Sequence, residues 1–498
     1  MFNGYPLLSV LIFLPLAGSL LLIPVWKREN YARPIALAIA LVELALTGWV
    51  YRTADAVSIG SSSLAGAGFF LSEDAAWISR FGIRYTLGMD GISLLLSLLT
   101  SFIIVIAMVV SWRGVNKRGT LHYLLILLME TGIMGVFLSL DLFLFYLFWE
   151  VMLIPMFFLI GIWGDGRPIY STVKFFLYTL VGSLLMLLAI IGLYLIHGSQ
   201  SGVYTFALAG LLHTGLSPVA GCWLFAAFLL AFAIKVPVFP LHTWLPDAYT
   251  DSSTTGTLIM AALMAKTGAY GLIRFAYPLF PDAAARFTPA LLILAVVGIL
   301  YGSWVAYAQK DMKRLIAYSS FGHMGFIVLG IAAWTPVALS GAVLQMVNHG
   351  ITTGALFVMI GMLGERTPTR DSGAFGGLWG KIPLFSFFFL LFSMASAGLP
   401  GLNNFTGEFL ILIGSFRVAP LPVVLAYLGI ILPLIYTVRL VQDLLFGEER
   451  HGGSLADLSR REVAVLAVLA CFVIYLGVHP TPVLELVKTP VALLTGIH

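Results

Sequence analysis

Four ionisable groups sit deep in apolar runs: Glu150 in FYLFWEVMLIPMFF, Lys235 in LLAFAIKVPVFPLHTWLPD, Lys266 in IMAALMAKTGAYGLI and Glu408 in NFTGEFLILIG. At the centre of a membrane helix each such charge costs roughly 2.5–3.5 kcal/mol, so four unpaired ones cost on the order of 10–14 kcal/mol. Groups that expensive persist where they pair, hydrate or perform work. An acid and a base about 4 Å apart attract by roughly 4 kcal/mol at an effective dielectric of 20. Switching that attraction loads and unloads a proton. No Asp, Glu, Lys or Arg lies between Lys174 and Lys235, and Pro237, Pro240 and Pro246 follow the second lysine closely. Proline removes a backbone donor, so the helix is expected to break there. Freed backbone groups, neighbours and water would then make a polar pocket around Lys235.

Two histidines form a second group, His323 in AYSSFGHMGFIVLG and His349 in LQMVNHGITTGAL, with Ser319, Ser320, Asn348 and Thr352 nearby. Imidazole titrates near neutrality, so two in successive runs are expected to act as links in a proton relay. No third ligand shares their spacing, and a metal site is not expected. Glu43, Glu130, Arg439 and Asp443 lie nearer predicted helix ends or lack a break beside them, and structural roles are expected for these. The bland alternative for all these groups is a set of ion pairs that only holds helices together.

The elements that must position these residues are membrane spans. Of 498 residues 60% are hydrophobic and only 10% charged, against about 25% charged in a typical soluble domain. The net charge of +4 is spread through loops and points to no nucleic-acid partner. Cys222 and Cys471 lie in apolar runs and make no redox or metal framework. There is no CxxC and no Gly-rich phosphate loop.

Stretches of about 20 apolar residues cross a bilayer core of roughly 30 Å. Fourteen are predicted, at 5–25, 33–51, 89–112, 120–139, 141–163, 172–197, 219–247, 256–277, 288–309, 313–333, 336–363, 382–418, 422–446 and 463–485. The first, followed by Lys27 and Arg28, reads as a retained span and not a cleaved signal peptide. The seventh, eleventh and twelfth exceed one crossing and carry helix-interrupting residues: the three prolines, VNHGITTG, and AGLPGLNNFTGEF. With both termini outside, sixteen of the 27 Lys and Arg fall in inner loops and seven in outer segments, as the positive-inside rule requires. Segment 52–88 reads as an outer loop with room for a short hairpin, and 447–462 as an inner linker.

FLSLDLFLFYLFWEVMLIPMFFLIGIWG, KVPVFPLHTWLPDAY, KRLIAYSSFGHMGFI, LQMVNHGITTGALF and SAGLPGLNNFTGEFLIL, in that order, resemble the antiporter-like membrane subunits of respiratory complex I, most closely the NuoM type. GMDGISLLL before the third span agrees. Single motifs such as HTWLPD are shared with Mrp-type antiporters. The resemblance implies an all-α polytopic protein of about fourteen transmembrane helices, with two inverted five-helix repeats and discontinuous helices 7 and 12. The implied division is 1–112 for helices 1–3, 113–277 and 288–446 for the repeats, and 447–498 for the linker and last helix.

The resemblance further implies proton translocation through Glu150, Lys235, Lys266 and Glu408, with His323 and His349 as relays. It implies a bacterial inner or thylakoid-type membrane, and partners in neighbouring antiporter-like subunits and a peripheral redox arm. NADH or another reductant, FMN, iron–sulfur clusters and quinone would belong to those partners, with no cofactor in this chain. Tyr249 stands where the family commonly has histidine, the usual following Pro is absent, and MAK replaces LLK before Lys266. A Mrp-type cation/proton antiporter subunit is the competing class, and a pure scaffold the third.

Overall fold

The computed structural model describes residues 6–54, 68–115, 117–367, 369–450 and 455–496. Within them the chain is a helical bundle: α1 (Leu7–Leu21), α2 (Glu29–Ala54), α3 (Gly91–Gly114), α4 (Gly119–Leu138), α5 (Leu142–Trp163) and α6 (Pro168–Ser201) come first. They are followed by α7a (Pro218–Lys235), α7b (Trp244–Asp251), α8 (Thr254–Leu279), α9 (Pro281–Tyr307), α10 (Met312–Ala333) and α11 (Pro336–Gly364). The chain closes with α12a (Pro383–Ser396), α12b (Asn403–Phe416), α13 (Pro420–Phe446), α14 (Arg460–Val478) and α15 (Thr481–Thr495).

Among the described residues twelve helices are long and apolar enough to cross a membrane. The expected fourteen is not reached by that measure. Helix α1 has 15 residues, and the twelfth predicted span is split into two pieces of 14. The last predicted span, 463–485, also divides: α14 stops before His479, and Pro480 and Pro482 restart the chain as α15, packed on α3 and α11.

Of the three predicted interruptions two occur. At the seventh span, α7a ends at Lys235 and α7b begins at Trp244. The carbonyls left over at the end of α7a are taken by Val236 N–H on Phe232 O (2.8 Å), Val238 N–H on Ala233 O (2.6 Å) and the Trp244 indole N–H on Ile234 O (2.9 Å). The twelfth breaks at Gly398 and Gly401, whose φ angles of +78° and +92° exclude most other residues. The eleventh does not break. Asn348 and Thr352 direct their side chains across to Asn403, at 2.7 and 2.8 Å, and so do not compete for the backbone of their own helix.

The expected hairpin in 52–88 is present as β1 (Leu71–Ile78) and β2 (Ile83–Met89), antiparallel with Leu71 opposite Met89; residues 55–67 of that segment lie outside the described residues. Glu73 caps α1 by accepting from Leu8 N–H (2.5 Å) and the Ser9 hydroxyl (2.5 Å). Arg84 grips Asp74 through two bonds, of 2.9 and 2.5 Å, and holds that carboxyl below its ordinary range. Asp141, the N-cap of α5, accepts from Phe143 and Leu144 N–H at 3.0 and 3.1 Å.

Candidate functional site: a buried acid–base row

Lys266 lies in α8 between two π-helical turns, Met260–Met264 and Leu272–Ala276. Such turns shift the hydrogen-bond register and recur at functional sites. The fully buried Lys266 ammonium donates to Ala261 O, five residues back, and contacts His349 Nδ1 at 2.7 Å. On the far side of the ring, His349 Nε2 is 3.0 Å from the Ser320 hydroxyl. Lys266, His349 and Ser320 come from α8, α11 and α10, so this triad ties three helices together.

His323, one turn beyond Ser319 on α10, faces the next station. Its Nδ1 is 2.6 Å from Glu408 Oε1, which also accepts from Gln345 Nε2 at 3.0 Å. His323 Nε2 is 3.4 Å from the Ser396 hydroxyl at the end of α12a. The His323 and His349 ring centroids are 6.2 Å apart, a gap too wide for direct hydrogen bonding but within the reach of a bridging water. Glu408 belongs to α12b, and Asn403 at its start exchanges bonds with Asn348 of α11. The broken helix therefore delivers its carboxylate to the row at a fixed height.

Lys235 departs from the expected polar pocket. It is 1% exposed, and its ammonium has no hydrogen-bond partner. It lies over the rings of Trp149, at 5.1 Å, and Phe175, at 5.7 Å. The backbone freed by the prolines is satisfied within the break itself, so aromatic faces meet the charge instead. Glu150, on α5 next to Trp149, has Oε1 buried without a partner and forms no ion pair with Lys235 within 4.0 Å. Pro155, four residues after Val151, cannot bond that carbonyl, and the helix is irregular at Met152, just past Glu150. A Cβ on Gly268 would lie 3.1 Å from Lys235 Cβ and 3.0 Å from Phe232 O; glycine there lets α7a close on α8 two residues from Lys266.

The six predicted residues thus fall into two groups. Lys266, His349, His323 and Glu408 are joined by bonds and one short gap, while Glu150 and Lys235 form a separate, unpaired station in an aromatic setting. Arg439 is exposed beside Asp443 at 3.8 Å.

Further residues support the row. Gln345 stands one helical turn before His349, a spacing that places both on one face of α11. Asp247 of HTWLPD accepts from Lys174 Nζ at 2.7 Å and Arg314 Nη1 at 2.9 Å, pinning α7b between α6 and α10. Arg274, near the end of α8, is 4% exposed and paired with Asp90. Away from the row, a cavity of about 470 Å³ opens where the loops after α3, α5, α7b and α11 meet, lined by Asp165, Ser253, Thr254, Lys313, Glu365 and Arg370.

A helical membrane bundle that buries acids and bases between two interrupted helices has the architecture of an ion-translocating subunit. A family model described as NADH:quinone oxidoreductase/Mrp antiporter, TM, matches residues 139–432. The chain belongs to that family. It is 42% identical over 490 residues to NADH-quinone oxidoreductase subunit M of Pseudomonas aeruginosa, covering 96% of each sequence. A chain of respiratory complex I from Thermus thermophilus with bound NADH superposes with a TM-score of 0.86 at 32% identity, covering 98% of this chain and 99% of that one. A chain of the Mrp complex from Dietzia sp. DQ12-45-1b has the same fold, with a TM-score of 0.86 at 22% identity, covering 99% of each.

Proposed function

We propose that this chain is the proton-translocating, antiporter-like subunit of the membrane arm of a complex I-type NADH:quinone oxidoreductase. The observation that carries this reading is the row Lys266–His349, His323–Glu408, ending at a helix break. Its relatives' names place it with subunit M. Segments 113–277 and 288–446 are read as inverted repeats, each contributing one broken helix. Both termini are placed on the outer side of the membrane, which puts the polar cavity of Lys313 and Asp165 on the inner side as the proton inlet.

The mechanism follows from the unpaired station. Brought to roughly 4 Å, the Glu150 carboxylate and Lys235 ammonium would attract by about 4 kcal/mol, roughly a thousandfold in the lysine's hold on its proton. Parted beyond 4.0 Å, as they are here, the two keep only a weaker Coulombic attraction and the ammonium's contacts are aromatic faces; a further swing of Glu150 away would leave desolvation to favour release. A swing of Glu150 driven by a neighbouring subunit would push a proton from Lys235 toward Lys266. His349 passes it on, and His323 hands it to Glu408 at the exit break. Redox chemistry and its cofactors belong to partner subunits in this scheme.

A Mrp-type antiporter is the second reading, favoured by the shared fold. Affinity capture of the tagged full-length chain from solubilised membranes separates the two. Co-purification of NADH:quinone oxidoreductase activity is expected; capture of an assembly without iron–sulfur subunits would favour the antiporter.

A further inference from the structure

Two acidic side chains lie off the row, in the N-terminal part of the bundle. Glu43 of α2 and Glu130 of α4 are both 0% exposed, and none of their four carboxyl oxygens has a hydrogen-bond partner. The two carboxyls are within Coulombic range of each other, where α2 packs along α4. The structural roles expected for them therefore fail on a simple count: neither holds anything.

The charged and titratable groups on the surrounding helices are committed elsewhere or distant along the helix. Arg33 of α2 donates to Val115 O, and Glu29 caps Gly119. His122, two turns before Glu130 on α4, packs against Trp163 and has both ring nitrogens unpartnered. Tyr123 donates to Ser111 O and Tyr270 of α8 to Phe137 O. Lys266 is bonded to Ala261 and His349, and Glu150 lies on α5 beside Trp149. No cation among the described residues forms an ion pair with Glu43 or Glu130.

Depth matters as well as isolation. Glu130 is eleven residues into α4, about 16 Å from its start, and Lys266 is twelve residues into α8, about 18 Å from its start. The two helices run side by side, α4 packing directly on segment Ala265–Gly271, which carries Lys266. The carboxyl pair thus stands level with the row and one helix away from it.

Two carboxylates that share a dry site cannot both ionise, and burial disfavours even the first charge. We infer that Glu43 and Glu130 form a second proton-holding site, a carboxyl pair that carries protons at neutral pH and exchanges them with the buried row. The exchange rests on the translocation reading above; the proton occupancy does not.

Infrared difference spectroscopy on the intact complex, with Glu43→Gln and Glu130→Gln, tests both parts. Gln keeps the volume and neutrality of a protonated carboxyl, so both variants are expected to assemble. Wild type should show a carboxylic-acid C=O stretch at neutral pH that each substitution removes and that sodium leaves unmoved. The Glu130→Gln complex should pump severalfold more slowly. Wild-type bands untouched by either substitution would overturn the occupancy. A band in the wild-type complex that sodium abolishes would overturn it too, by assigning the site to a cation, and this measurement needs no variant. Loss of the band with unchanged pumping would overturn the exchange alone.

Discussion

Lys266→Ala should bring NADH-driven acidification of proteoliposomes down to background, and Lys266→Arg should do the same. The lysine bonds the His349 ring, and the row that reaches His323 and Glu408 across the 6.2 Å gap between the imidazoles starts there. The alanine variant removes both the carrier and the partner of two buried groups, Ala261 O and His349 Nδ1. Leaving such groups unsatisfied costs about 1–3 kcal/mol each, so some loss of stability accompanies the loss of transport. The arginine variant separates the two effects. A guanidinium keeps the positive charge and can still bond, but it does not give up its proton in a protein. A lysine that merely holds helices together would tolerate Arg; a lysine that passes protons would not. Proton transport measured with a pH-sensitive dye, alongside thermal stability, distinguishes these outcomes.

Glu408→Gln is expected to slow pumping by about one to two orders of magnitude while the complex still assembles. The carboxylate meets His323 Nδ1 at 2.6 Å and Gln345 Nε2 at 3.0 Å. A hydrogen bond to a charged group is worth about 1.5–3 kcal/mol, and each 1.36 kcal/mol is tenfold in rate. Gln retains an acceptor for Gln345, so the local fold persists, but it cannot stabilise an imidazolium or take its proton. The proton would then have neither a stabilised imidazolium to occupy nor an acceptor beyond it. Steady-state pumping in Glu408→Gln complex at the wild-type rate would place the exit elsewhere.

Much of this arrangement was legible in the residues because lipid leaves few options. Charges in apolar runs had to be inside the bundle, and the prolines after Lys235 and the glycines flanking Pro400 had to break their helices. What was not legible followed from pairing across the fold. VNHGITTG read as a break, yet Asn348 and Thr352 reach Asn403, 55 and 51 residues away, and the helix runs on. Lys235 read as a polar-pocket lysine because prolines free backbone groups; the indole of Trp244 and two amides absorbed those groups, and the pocket became aromatic. Glu43 and Glu130 are read as structural because neither adjoins a break; that both carboxyls end up buried and unpartnered where α2 packs on α4 is set between helices, not along either one. Asp247 gave a partial signal through HTWLPD, but its partners Lys174 and Arg314 lie 73 and 67 residues away. Spacing along one helix is readable; spacing between helices is not.

The ratio of protons pumped to electrons transferred, measured in proteoliposomes with Glu150→Gln and with Lys235→Ala, bears most directly on whether switched pairing drives the row. Both variants should keep the NADH:quinone redox sites intact and lose most of the pumped protons attributable to this subunit. Ratios equal to wild type in both would contradict transport through these residues.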